Sequence, residues 1–130
     1  MTDFKELCQQ FSSILGGELN IKKGVCTVQK KRSHINVKIM GRPANSVLQS
    51  FCSFESIDHQ GKALNLGEIA LLQEEVYPFT WSLQRSGIIL TALHNHWLFD
   101  NPRILYAHFI SVEDPLSFAH KVAEAFQLLK

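Results

Sequence analysis

The chain has 130 residues, of which 45% are hydrophobic, so it can build one core without the help of metals or disulfides. Thirteen Lys and Arg side chains nearly balance twelve Asp and Glu side chains, which argues against a general nucleic-acid-binding protein. No apolar run approaches the roughly 18 residues of a membrane span, and the first residues do not resemble a signal peptide. These features predict a soluble, cytoplasmic protein with no nucleic-acid or membrane partner.

The first half of the chain predicts one helix followed by strands. Apolar residues at helical spacing, ended by Gly16, predict a helix over residues 3–15. Residues 24–29 and 34–40 are typical of strands, and alternation in the second places His34 on its polar face.

The middle of the chain predicts a hairpin and a second helix. Residues 47–57 and 62–72 flank the turn sequence DHQG, so His59 should lie at a hairpin tip. Residues 74–87 follow helical spacing and end in a glycine that can close the helix.

The last part predicts two strands, 88–96 and 103–112, and a final helix opened by Asp114 and Pro115. The element order is therefore α-β-β-β-β-α-β-β-α. One helix joins strands 62–72 and 88–96, which predicts that they run parallel, while strand 103–112 returns antiparallel. We predict a single α+β domain spanning the chain, with a mostly antiparallel sheet and helices packed on one face.

Three cysteines, Cys8, Cys26 and Cys52, are far apart in sequence and form no C-x-x-C pair. An odd number of cysteines without paired spacing does not indicate a disulfide framework. Because each lies among apolar neighbours, we predict three buried, reduced thiols.

Three of the six histidines fall in the stretch TALHNHWLFDNPRILYAHF, residues 91–109. Alternation places Leu90, Ala92, His94 and His96 on one face of their strand. If the paired residue numbers of the hairpin have an even sum, His108 lies on that face too, and opposite Cβ atoms are about 5 Å apart. An odd sum places His108 on the other face, because a slip of one residue reverses every side chain.

Glu74 and Glu75 follow the strand that precedes the second helix, so they should lie at the same sheet edge as the histidines. Imidazoles with one carboxylate suit zinc or another divalent transition metal that keeps one position open. The residues thus predict His94, His96 and His108 as metal ligands and Glu75 as a catalytic base or further ligand.

Other interpretations stay open at this point. An H-x-H pair is a weak signal, and the motifs H-E-x-x-H and G-x-S-x-G do not accompany it. The histidines can instead serve as acid–base groups or ligand anchors, or simply as structural residues. Arg103 is a candidate for binding an anionic ligand, although an ion pair with Asp100 is its commoner role.

From Gly67 onward, the sequence GEIALLQEEVYPFTWSLQRSGIILTALHNHWLFDNPRILYAHFISVEDPLSFAHKVAEAF resembles the LppY/LpqO family, an uncharacterised bacterial family named from mycobacterial lipoproteins. The shared features are a strand ending in G-E-[apolar]-x-L-L, then E-E-V, T-A-L-H-N-H, and P-R followed by apolar residues and His. The earlier stretch KKGVCTVQKKRSHINVKIMGRP is also similar, so the resemblance covers about residues 16 to 126.

The resemblance implies no established reaction, but it singles out particular residues. These are Glu75, His94, Asn95, His96, Pro102, Arg103 and His108. It thereby adds Asn95 to Arg103 as a candidate ligand-binding residue. The chain has His34 where the family has Asp, and it lacks the export signal that members often carry.

We therefore predict a histidine-lined site for a divalent metal, zinc or similar, or for a small polar ligand. If the protein is an enzyme, metal-assisted hydrolysis or isomerisation is the expected reaction class. The alternative is a non-catalytic module that binds a small molecule or a partner, with structural histidines and homodimerisation through a sheet edge.

Overall fold

The computed structural model describes residues 3–130 and has two sheets and three helices. The helices are α1 (Phe4–Leu15), α2 (Val76–Arg85) and α3 (Pro115–Phe126). The strands are β1 (Glu18–Lys22), β2 (Val25–Lys31), β3 (Lys38–Ile39), β4 (Arg42–Pro43), β5 (Gln49–Glu55), β6 (Ala63–Leu72), β7 (Ile89–Asn95), β8 (Asp100–Asn101) and β9 (Ile104–Glu113).

The larger sheet has six strands in the order β1-β2-β5-β6-β9-β7, and every neighbouring pair is antiparallel. Strands β6 and β7 run parallel to each other, as predicted, because each pairs antiparallel with β9 between them. The α+β architecture is confirmed. A small second sheet has the order β4-β3-β8.

Local sequence signals place the helix ends well. Gly16 ends α1 in the left-handed conformation, with φ 76°. At the start of α3, the Asp114 carboxylate accepts a 2.9 Å hydrogen bond from the Ser117 N–H. Among the helices of residues 3–130, none has the length and apolar character needed to cross a membrane.

Several strand predictions need correction. The two-residue strands β4 and β8 were not predicted, and neither was β1, whose five residues are exposed and show only one short alternation, Leu19 and Ile21. Only Lys38–Ile39 of the predicted strand 34–40 lies in a sheet. Ile35 and Val37 are buried as the alternation suggested, but they belong to an irregular segment.

The main core fills the space between the helices and one face of the six-stranded sheet, which we call the helix face. Its largest members are phenylalanines from helices and strands: Phe11, Phe54, Phe79, Phe109 and Phe118. Gly67 leaves room for one of these rings, because a Cβ there would lie 2.1 Å from Cε2 of Phe109.

The opposite face of this sheet is covered only in part. The irregular segment between β2 and β5 buries Val37 and Leu48 against Ala70, Ile104 and Tyr106, forming a second, smaller core. The rest of this face, which we call the open face, faces solvent. The boundary between the covered part of the sheet and the open face crosses β6 between Glu68 and Ala70, and β9 between Tyr106 and His108.

The prediction of three reduced thiols is wrong for Cys8 and Cys26, which form a disulfide between α1 and β2. The two residues are 18 positions apart and meet only because α1 packs on the sheet. The spacing of the cysteines in the sequence does not indicate that packing. Cys52 is a free, buried thiol as predicted, and burial raises its pKa to about 12.

Replacing both cysteines, as Cys8→Ala/Cys26→Ala, should lower the free energy of unfolding by about 3 kcal/mol, because the unfolded chain gains the freedom of an open loop. Urea unfolding of both proteins measures this difference. The matched control is Cys52→Ala, which removes a buried thiol without removing a cross-link and should cost less. Equal losses in the two variants would show that the cross-link contributes nothing.

Candidate metal centre

The pairing of β7 with β9 contains a β-bulge that decides which face carries the histidines. Before the bulge, Leu90 pairs with Phe109, and after it Ala92 pairs with His108. Thr91 is the extra residue, and its hydroxyl donates a 3.1 Å hydrogen bond to the His108 carbonyl oxygen. The paired residue numbers therefore have an odd sum before Thr91 and an even sum after it.

The even register extends through the part of β7 that carries the histidines, where His94 pairs with Tyr106. His94 and His108 thus lie on the open face, and His96 continues from the end of the strand. Simple alternation predicted that Leu90 shares this face, and this is wrong. The bulge places Leu90 against the main core instead, since one extra residue reverses the faces.

The three imidazoles meet at this end of the open face. One ring nitrogen from each of His94, His96 and His108 lies within 4.8 Å of the others, so these residues could hold a metal ion. The ring centroids of His94 lie 4.9 Å from His96 and 5.0 Å from His108. His94 and His96 are exposed, whereas His108 is half-buried, and its Nε2 is buried without a hydrogen-bond partner.

Glu68 supplies the carboxylate next to this cluster. It lies directly opposite His108 across β6 and β9, and its Oε1 is 3.4 Å from Nδ1 of His108. A carboxylate on one ring nitrogen favours the tautomer that leaves the other nitrogen free to bind a metal. Glu68 was missed in the sequence because β6 and β9 are separated by a helix and another strand. Alternation within β6 predicts which face of the sheet Glu68 takes, but it does not predict that His108 lies opposite.

Tyr106 borders the histidine cluster on the side where the segment between β2 and β5 covers the sheet. The ring of His96 stacks on Tyr106 with centroids 3.9 Å apart, and the Tyr106 hydroxyl donates a 2.8 Å hydrogen bond to the Val47 carbonyl. Burial lowers the pKa of His96, and the neighbouring His94 lowers that pKa further. A neutral imidazole is the form that binds a metal.

The donor set fits a zinc-like ion. Zinc lies about 2.0–2.1 Å from imidazole nitrogens, so two nitrogens bound to one ion are at most about 4.2 Å apart. In a tetrahedral site the nitrogens lie about 3.4 Å apart, so the observed span of up to 4.8 Å has to close by about 1.4 Å. His94 and His96 are exposed, so rotation of their rings can bring the nitrogens together.

Glu75 is not brought together with the histidines. Both of its carboxylate oxygens accept hydrogen bonds from the Arg32 guanidinium, and the backbone N–H groups of Leu72 and Lys130 donate at 2.9 and 2.8 Å. Arg32 and Glu75 are both buried. Burial disfavours ionisation of Glu75, but these hydrogen bonds outweigh it and hold the pKa below its ordinary value. Its carboxylate is thus already occupied in a structural ion pair.

The other two predicted ligand-binding residues also have local partners. Asn95 pairs with Leu105 on β9, and its side-chain amide donates a 3.0 Å hydrogen bond to the Trp97 carbonyl. Arg103 places Nε 2.9 Å from Oδ1 of Asp100, in an ion pair within the turn between β8 and β9. Both residues support the loop that follows the histidine strand.

The family model described as Domain of Unknown Function (DUF1259) matches residues 9–128, so the chain belongs to this family. No curated protein and no solved structure matches the chain.

Replacing Glu75 by Gln should lower the free energy of unfolding at pH 7 by about 3–5 kcal/mol, because Arg32 stays buried without its counter-charge. The lowered pKa of Glu75 gives the pH dependence. Its stabilising contribution is complete above the unfolded pKa of about 4.3 and is lost as the pH falls through the folded value. Urea unfolding at several pH values should show the difference from wild type shrinking in acid.

Glu74→Gln is the matched control, since Glu74 is the preceding residue and forms only an exposed contact with Lys130. It should cost less than about 1 kcal/mol. Similar losses for Glu74→Gln and Glu75→Gln would contradict a structural role specific to Glu75.

Proposed function

We propose that this protein binds one divalent metal ion, zinc or similar, through His94, His96 and His108, with a coordination position left open for water or substrate. The observation that carries this proposal is His108, whose buried Nε2 has no hydrogen-bond partner and whose ring is clustered with two other imidazoles. A buried polar atom without a partner costs about 1–3 kcal/mol. A metal ion is the partner that this donor set suits.

The Glu68 carboxylate, which lies next to Nδ1 of His108, also supports the proposal. Metal-binding histidines commonly donate their second ring N–H to a carboxylate, which fixes the ring and raises its basicity. The Glu68 carboxylate lies 3.4 Å from Nδ1 of His108, where it can take this role once a bound ion holds the ring, and Nε2 has no partner. Glu68 therefore takes the place that the sequence had suggested for Glu75.

A bound ion of this kind acidifies water or polarises a carbonyl, so metal-assisted hydrolysis or isomerisation is the reaction class that we propose. The chain's own residues would orient the ligands and restrict access. Glu68 would favour the His108 tautomer with its proton on Nδ1, and the Tyr106 ring closes the site on its covered side.

The Cys8–Cys26 disulfide bears on where the protein works. Disulfides persist in oxidising compartments and are rare in the cytosol. The cross-link therefore favours an exported protein over the cytoplasmic location predicted from the sequence.

Protein made without an affinity tag, stripped with a chelator and titrated with zinc, should bind one equivalent. The variant His94→Ala/His96→Ala should lose this binding, because two of three ligands are gone. The matched control is His59→Ala/His120→Ala, which removes two exposed histidines from the β5–β6 loop and α3. Metal analysis and calorimetry give the stoichiometry. Absence of zinc binding by the wild type, with an unchanged melting temperature on zinc addition, would favour a non-catalytic module with structural histidines.

Replacing Glu68 by Gln should weaken zinc binding about 10- to 100-fold while the stoichiometry stays at one, because the ligand is kept but its orienting partner is neutral. Competition with a chromophoric chelator measures the affinity. The control is Glu55→Gln, which removes the same charge from neighbouring β5. An equal loss in both variants would indicate a general effect of charge and no specific role for Glu68.

A further inference from the structure

A groove of about 390 Å³ runs along the open face and reaches the candidate metal centre. It shares two residues with that centre, Glu68 and His108. A volume of this size is typical of sites for small organic molecules. The groove is therefore placed to hold the body of a ligand whose end contacts the metal.

The floor of the groove is made of side chains that line up across the strands. Thr27 pairs with Ser53, Ser53 with Leu66, and Leu66 with Ile110. This row crosses β2, β5, β6 and β9. Because neighbouring strands are about 4.8 Å apart, the row is about 14 Å long.

A second row runs beside the first and leads to the metal centre. Phe51 pairs with Glu68, and Glu68 with His108. Phe51 is 37% exposed although its side chain is large and apolar. An elongated molecule lying between the two rows would cover this ring and point one end at His108.

The lining shows which chemistry the groove prefers. Of the described residues that line it, Glu68 is the only carboxylate, and Lys and Arg are absent. Phe51, Leu66 and Ile110 make its middle apolar, while the hydroxyls of Thr27 and Ser53 lie at the end far from the metal. Such a lining disfavours an anionic body and favours an apolar chain.

We propose that the groove binds an elongated acyl compound with an uncharged, mainly apolar chain of about 10–14 Å, whose carbonyl end reaches the metal. This inference rests on the proposed metal site and adds the class of substrate. The chain lies on Leu66 and Ile110, and the hydroxyls at the far end accommodate its terminus or the water around it.

Hydroxamic acids test this proposal, because one zinc-binding group can carry chains of different length. Calorimetric titration of the zinc-loaded protein should show octanohydroxamic acid binding at least tenfold more tightly than acetohydroxamic acid. The variant Leu66→Glu should lose this preference, since it places a charge in the middle of the groove. The matched control Leu64→Glu, on the same strand but outside the groove, should keep it.

The outcomes separate the two proposals. If the protein binds no zinc, the proposed function fails. If zinc binds and the two hydroxamates have equal affinities, the metal centre stands and the groove inference is overturned. A preference for the long chain that persists in Leu66→Glu also overturns it. Circular dichroism checks folding, and Phe51→Asp, at a more exposed position in the groove, replaces Leu66→Glu if that variant does not fold.

Discussion

The buried ion pair of Arg32 and Glu75 fixes the layer that covers part of the sheet face opposite the helices. Arg32 follows β2 directly, and its Nη1 also donates a 3.2 Å hydrogen bond to the Ala70 carbonyl on β6. The chain that follows Arg32 therefore has to cross the end of β6, where it buries Ile35 and Val37. Buried ion pairs often add little net stability because desolvation is costly. Here the pair determines geometry, since it joins two parts of the chain that share no strand pairing.

This partial cover gives the candidate metal centre its mixed environment. Where the cover ends, Tyr106 is buried and stacks on His96, while His94 on the neighbouring strand stays exposed. His108 lies between these extremes, with one nitrogen facing Glu68 and the other cut off from water. A fully covered face would leave no access for an ion or ligand, and a fully open one would let water satisfy His108. Only a position at the boundary combines an imidazole nitrogen that lacks a hydrogen-bond partner with access for an ion or ligand from solvent.

Local signals allowed much of the fold to be predicted, because helix caps, turns and alternation act within a few residues. The even register that brings His94 to His108 was one of two alternatives that the sequence left open. Contacts between distant segments were missed. Glu68 meets His108 only through the pairing of β6 with β9, and Cys8 meets Cys26 only through helix packing. Periodicity states which face a side chain takes, but it does not state which element lies beside it.

The bulge at Thr91 shows why one simple pattern failed within an otherwise well-predicted strand. Leu90 has to face the main core, whereas Ala92 and His94 have to face the open side, and strict alternation cannot satisfy both. One extra residue resolves the conflict. It can be tolerated because β7 is an edge strand, with a partner on only one side. One strand thus supplies both a core residue, Leu90, and a site residue, His94. The bulge lies between them, where the required face of the strand changes.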